Sequence, residues 1–164
     1  MSNTTDEDWV KLALQEAEAA MEFSEIPVAS ILVGDGIEVG RGQTQVRRRG
    51  SIAAHGELYA ILDARDAVYR YQELTIYTTL EPCLMCVGAC AQAGISRVVF
   101  GMHAAPDGAA DATYKLADAG LHLPVVEGGL LEQDEVMLMR TFRSMHPESP
   151  AIAYVDEMLA FYDR

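Results

Sequence analysis

A length of 164 residues, half of them hydrophobic, suits one compact domain with a single core, and no apolar run approaches the length of a membrane span. Three cysteines are too few for a disulfide framework, and the polar start does not resemble a signal peptide, so a soluble cytoplasmic protein is expected. A formal net charge of -13 argues against a surface that grips nucleic acid through phosphates and for a small-molecule substrate.

In chain order, residues 6–24 predict an amphipathic helix, because Trp9, Leu12, Ala13, Glu16, Ala19, Ala20 and Phe23 recur at three- and four-residue steps. Thr5 is suited to cap it, and Asp6, Glu7 and Asp8 suit the positive end of its dipole. Residues 26–33 read as a strand, Gly34-Asp35-Gly36 as a hairpin turn, and 37–41 as the returning strand. Residues 42–53 read as a polar loop holding Arg47, Arg48 and Arg49, the one basic run. It serves either as an anion clamp or as a solvated loop paired with acids of a neighbouring subunit.

A helix is expected over 55–68, a strand over 74–78, and a further helix from the Pro82-Cys83 step to about residue 92, ended by Gly94. Then come a strand at 98–100, a loop over 101–112, a short helix near 114–119, a strand at 124–127 and a helix over 132–142. A break at 146–150 precedes a last acidic helix over 152–162. No internal repeat or dividing linker interrupts this order, so one domain is expected over 1–164, with 147–164 as a C-terminal helical segment able to cover a pocket.

The chemistry concentrates in two stretches. His55-Gly56-Glu57 and Pro82-Cys83-Leu84-Met85-Cys86 spell H-x-E and, some 25 residues on, P-C-x-x-C, the pattern of zinc-dependent nucleobase deaminases. One imidazole and two thiolates make a three-ligand zinc set that leaves the fourth position to water, so His55, Cys83 and Cys86 are the expected metal ligands. Glu57 is then left for proton transfer. A lone C-x-x-C also fits redox, structural-zinc and iron–sulfur sites, but each leaves H-x-E unexplained. Both cysteines and the histidine fall at helix starts, where partial positive charge lowers thiol pKa.

On these residues the chain resembles the cytidine and cytosine deaminase-like superfamily, in the branch of fungal cytosine deaminase, bacterial guanine deaminase and the tRNA adenosine deaminases. The resemblance spans roughly residues 6–145. It is carried by Ile26-Pro27-Val28, by His55-Gly56-Glu57, by the run from Thr78 through Pro82, Cys83 and Cys86 to Ala89, and by Arg97-Val98-Val99-Phe100-Gly101.

The resemblance implies an α/β fold, three-layer α/β/α with a five-stranded mixed sheet in order 2-1-3-4-5. It also implies one Zn2+ per chain and a homo-oligomer, with a dimer expected. Its mechanism would have Glu57 take a proton from the attacking water, hand it to a ring nitrogen, and then deliver a proton to the departing amine. Family members commonly place an Asn eleven residues before the zinc histidine, where this chain has Thr44, flanked by Gln43 and Gln45. A hydroxyl cannot make the two-point contact of an amide.

Further candidates for substrate contact are Ala54, His103 after the fourth strand, Asp107 and Asp111 in the following loop, and Asp156 with Glu157 on the last helix. Phe161 and Tyr162 suit either stacking on a base or docking of that helix. Cys90, four residues beyond Cys86, reads as a core residue. The expected function is hydrolytic deamination of a free nucleobase-like heterocycle, cytosine first and a guanine, aminopurine or triazine next. A tRNA adenosine deaminase and a non-catalytic zinc-binding module are the alternatives.

Overall fold

The computed structural model describes residues 4–163; the outermost positions of the expected domain, 1–3 and 164, lie outside the described residues. Its centre is a five-stranded sheet in the order β2-β1-β3-β4-β5, formed by β1 (Ala29–Gly34), β2 (Ile37–Gln43), β3 (Leu74–Leu80), β4 (Arg97–Met102) and β5 (Val125–Glu127). Strand β1 runs antiparallel to both β2 and β3, whereas β3, β4 and β5 are parallel. The sheet is therefore mixed, in the order that the resemblance implies.

Alternation along the strands builds the layers. Ile31 and Val33 face one side with Tyr77 and Val99, against Val10 and Ala13 of α1 (Asp6–Ala20). Leu32 faces the other side with Ile76, Val98 and Phe100, against Ala60 of α3 (Gly56–Ala64) and Val87 and Cys90 of α4 (Leu84–Gln92). Successive strand residues point to opposite faces, so β1 is buried throughout and reads as a continuous apolar run. A third cluster joins Leu80 and Met102 to Val136, Met139 and Phe142 of α6 (Glu132–Met145) and to Val155, Met158 and Leu159 of α7 (Ile152–Tyr162).

Several boundaries differ from the periodicity, each for a local reason. The first helix ends at Ala20, and residues 21–23 tighten into a 3-10 turn closed by Ser24 in the left-handed region. Thr5 caps that helix in a reciprocal box with Asp8. The third helix stops at Ala64 and passes into a 3-10 turn over 65–69. The loop expected over 42–53 contains a short helix, α2 (Val46–Arg49), because the buried Glu25 carboxylate accepts the main-chain N–H of Arg47 at 3.0 Å and of Arg48 at 2.7 Å. A helix, α5 (Ala110–Asp118), begins four residues earlier than its periodicity suggested.

Helix α3 lies in backbone contact with β2. A Cβ at Gly42 would collide with the Gly56 carbonyl and the Ala60 nitrogen, so this approach needs glycine. The close seat fixes where the first turn of α3 points. Among the described residues no helix is long and apolar enough to cross a membrane.

Candidate metal centre and the cavity above it

Two helix starts bring the chemistry together. His55 is the N-cap of α3 and Glu57 lies in its first turn; Cys83 is the N-cap of α4 and Cys86 lies in its first turn. Strand β3 delivers the chain into Cys83, and the Ala109 N–H bonds the Pro82 carbonyl at 3.0 Å, fixing the turn before it. Cys83 Sγ stands 3.7 Å from His55 Nδ1 and 3.7 Å from Cys86 Sγ, and Cys86 Sγ stands 3.5 Å from His55 Nδ1. Tetrahedral zinc with thiolate and imidazole ligands at about 2.3 and about 2.0 Å separates two sulfurs by about 3.8 Å and sulfur from nitrogen by about 3.5 Å. The three donors thus already have the edges of a zinc tetrahedron.

The electrostatics agree with a metal-ready set. The thiol of Cys86 and the imidazole of His55 both hydrogen-bond the Cys83 sulfur, which pulls its pKa down to about 4, while donation to that sulfur and burial push Cys86 up. The same contact with Cys83 holds His55 above its ordinary value, with Glu57 adding to the effect. Among the described residues these three are the one cluster of metal-ligating side chains. Cys90, fully buried in the α3–α4 core, is outside it.

Glu57 is 3% exposed, and its Oε2 has no hydrogen-bond partner among the described residues. Burial pushes its pKa up. An acid that is buried, orphaned and beside the metal ligands is placed to exchange a proton with something that enters the site.

That something enters a cavity of about 460 Å³, lined by His55, Glu57 and Cys83 below. Ile26, Val28, Thr44, Glu81 and Asp107 also line it, together with Ser149, Pro150, Ala151 and Tyr154 from the C-terminal segment. Thr44 is 3% exposed, and its main chain is occupied by Val28 and Arg48. The Tyr154 hydroxyl donates to Asp107 Oδ1 at 2.9 Å, which ties α7 to the loop after β4.

Other expected contacts lie elsewhere, and their partners explain why. Gln43 is not in the lining; its amide donates to Glu16 and accepts from Arg48. Ala54 is buried outside the lining, with its carbonyl taken by the Gln45 N–H. His103 stands off the cavity, its Nδ1 3.3 Å from Glu81 and its ring edge-on to Phe100. Asp111 is exposed on α5, and Asp156 is paired with Arg143 at 3.4 Å on the outer side of α7. Tyr162 docks the helix end, donating to Glu132 at 2.6 Å.

Of the arginine run, Arg47 reaches the lining, whereas Arg48 pairs with Glu25 of the same chain rather than of a neighbour. Glu25, Glu81 and Tyr154 are among the lining residues that sequence reasoning missed. Glu81 sits inside a motif already spent on cysteines, and Tyr154 looked like one more apolar position on an amphipathic helix.

A three-ligand metal set with an open side, a buried carboxyl beside it and a cavity of small-molecule size define a hydrolytic zinc enzyme. Residues 3–102 match the cytidine and deoxycytidylate deaminase zinc-binding region, and the chain belongs to that deaminase family.

It is similar to the tRNA-specific adenosine deaminase of Streptococcus pyogenes serotype M3, with 37% identity over 145 residues, 86% of this chain and 85% of the relative. The enzyme of that name from Agrobacterium fabrum is 33% identical over 138 residues, 82% of this chain and 91% of the relative. A solved structure from a study of A-to-I editing by tRNA:A34 deaminases aligns at TM-score 0.69 with 30% identity, over 79% of this chain and 97% of that one. The guanine deaminase of Nitrosomonas europaea aligns at TM-score 0.73 over 86% of each chain, and at 19% identity it shows the shared fold alone.

Proposed function

We propose that this zinc deaminase hydrolyses the exocyclic amine of a free, nucleobase-sized aminated heterocycle. The observation that carries the reading is the lining: Ser149, Pro150, Ala151 and Tyr154 of the chain's own C-terminal segment share the cavity with the Glu57 carboxyl. Its volume of about 460 Å³ suits a small molecule better than a nucleotide displayed on a folded RNA. The net charge of -13 points the same way.

His55, Cys83 and Cys86 hold the zinc in this reading, which when bound supplies a nucleophile from water near neutral pH. Glu57 takes one proton of the attacking water and passes it to a ring nitrogen of the amidine, then takes the second from the newly added hydroxyl and delivers it to the amine, which leaves as ammonia while the ring carbon becomes a carbonyl. Burial keeps that carboxyl dry, so its proton transfers compete with little bulk water.

A second reading, deamination of adenosine in tRNA, is favoured by the names of the relatives and by Arg47 at the cavity, the nearest basic group for a phosphate. The two part in one assay: ammonia release by zinc-loaded protein from cytosine, guanine, adenine, triazines, their nucleosides and tRNA, with Glu57→Gln as control. Turnover of free bases and indifference to tRNA support the first reading. Inosine formation in tRNA, with affinity that falls steeply with salt, replaces it by the second. Silence across the panel removes both and leaves a zinc-binding module.

We also read the chain as a homodimer. Leu84 and Met85 are 54% and 41% exposed at the start of α4, beside Cys83, and Leu62 is exposed on α3, apolar side chains that a second copy would cover. Sedimentation equilibrium of the wild type against Leu62→Glu tests this.

A further inference from the structure

The cavity is lined by four carboxylates, and they are not equivalent. Glu25 is matched by two main-chain N–H groups and by the Arg48 guanidinium at 3.5 Å. Glu81 is matched by the N–H groups of Ala104 at 3.1 Å and Ala110 at 3.0 Å and approached by the His103 ring. Glu57 faces the metal ligands. Asp107 alone is held by a single neutral donor, the Tyr154 hydroxyl on Oδ1, and among the described residues its Oδ2 has no partner.

Burial and the neighbouring Asp107 push the Tyr154 pKa up, so the phenol remains a donor and keeps that carboxylate in one orientation. Asp107 lines the same cavity as His55, Glu57 and Cys83, the residues on which the chemistry rests.

We propose that Asp107, positioned by Tyr154, determines specificity by accepting a ring N–H of the substrate, so that the substrate class is a heterocycle with an unsubstituted ring nitrogen and no phosphate. The inference rests on the free-heterocycle reading above and narrows it. A carboxylate on the cavity lining with one oxygen occupied and the other free is a pure acceptor available to a donor, and it repels the negative charge of a nucleotide. An analogue whose ring nitrogen carries a methyl or ribosyl group loses the donor and leaves the acceptor unmatched. Asp107 is reached by water in the free protein, so the discrimination supplied by the contact is about tenfold, at the low end for a charged hydrogen bond.

The test compares zinc-loaded wild type, Asp107→Asn and Tyr154→Phe on cytosine, 1-methylcytosine and cytidine monophosphate. Turnover is followed by ammonia release, and binding by calorimetry on each form carrying Glu57→Gln. Wild type is expected to favour cytosine over 1-methylcytosine by about tenfold in both affinity and kcat/KM. Asp107→Asn should collapse that ratio towards one, and Tyr154→Phe should shrink it through a higher KM for cytosine. A ratio unchanged in Asp107→Asn, or equal affinities in the wild type, overturns the assignment while leaving the deaminase reading intact. No binding of any of the three overturns it as well. Binding with the expected ratio but no ammonia supports Asp107 and counts against the catalytic reading instead.

Discussion

Glu81 Oε1 accepts the main-chain N–H of Ala110 at 3.0 Å while its Oε2 accepts that of Ala104 at 3.1 Å, so one carboxylate pins both ends of the segment that carries Asp107. Gly108 lies directly over this carboxyl, where any side chain would collide with it. Replacing Glu81 by Ala should destabilise the fold by about 1–3 kcal/mol, the cost of leaving buried donors unmatched. Denaturant unfolding measures that loss, and the KM of Glu81→Ala should rise as the segment loosens. A stability and a KM equal to wild type would refute the anchoring role.

Glu57→Gln should lower turnover by at least about a hundredfold while zinc content, measured by atomic absorption, stays at one ion per chain. The reason is that Glu57 is no ligand in the proposed set: its Oε2 is buried and free, and the three donors close their triangle without it. Loss of zinc along with activity would make the carboxyl a ligand.

Chelation should lower the melting temperature, and added zinc should restore it, because an ion that binds the folded chain alone stabilises it by mass action. His55, Cys83 and Cys86 start two separate helices on one face of the sheet, so a bound ion would tie α3 to α4. Cys83→Ser should show a smaller response to zinc than wild type in the same melt.

Glu135 supplies a pH prediction away from the metal. It is fully buried on α6 with both carboxyl oxygens unpartnered among the described residues, and burial raises its pKa well above the ordinary carboxyl value, with Thr79 opposing weakly. The folded state therefore holds this proton more tightly than the unfolded one. Stability from this group is complete below the unfolded carboxyl pKa of about 4.3 and declines as pH rises towards the folded value. Glu135→Gln keeps the shape without the charge, so unfolding free energies measured at pH 4 and pH 8 should differ less in the variant. A decline as steep as that of wild type would assign it to other groups.

The sequence by itself determined the metal donors and the alternation of strands and helices, since H-x-E and P-C-x-x-C have few chemical uses and strand and helix periods are local properties, while the layers and strand order were implied by the resemblance. Cys90 was legible as core because a free cysteine on an apolar helix face is most often a small buried hydrophobe, and it is buried in the core under α4. The cavity was decided only by the tertiary structure. Gln43 and Thr44 are neighbours in sequence, yet alternation along the end of β2 sends one to Glu16 and the other into the lining. Asp156 is only two residues from Tyr154, but the turn of α7 sends it outwards to Arg143 while the phenol meets Asp107. Which of two nearby polar groups faces a ligand depends on packing among segments distant in sequence, and local residue spacing holds no record of that packing.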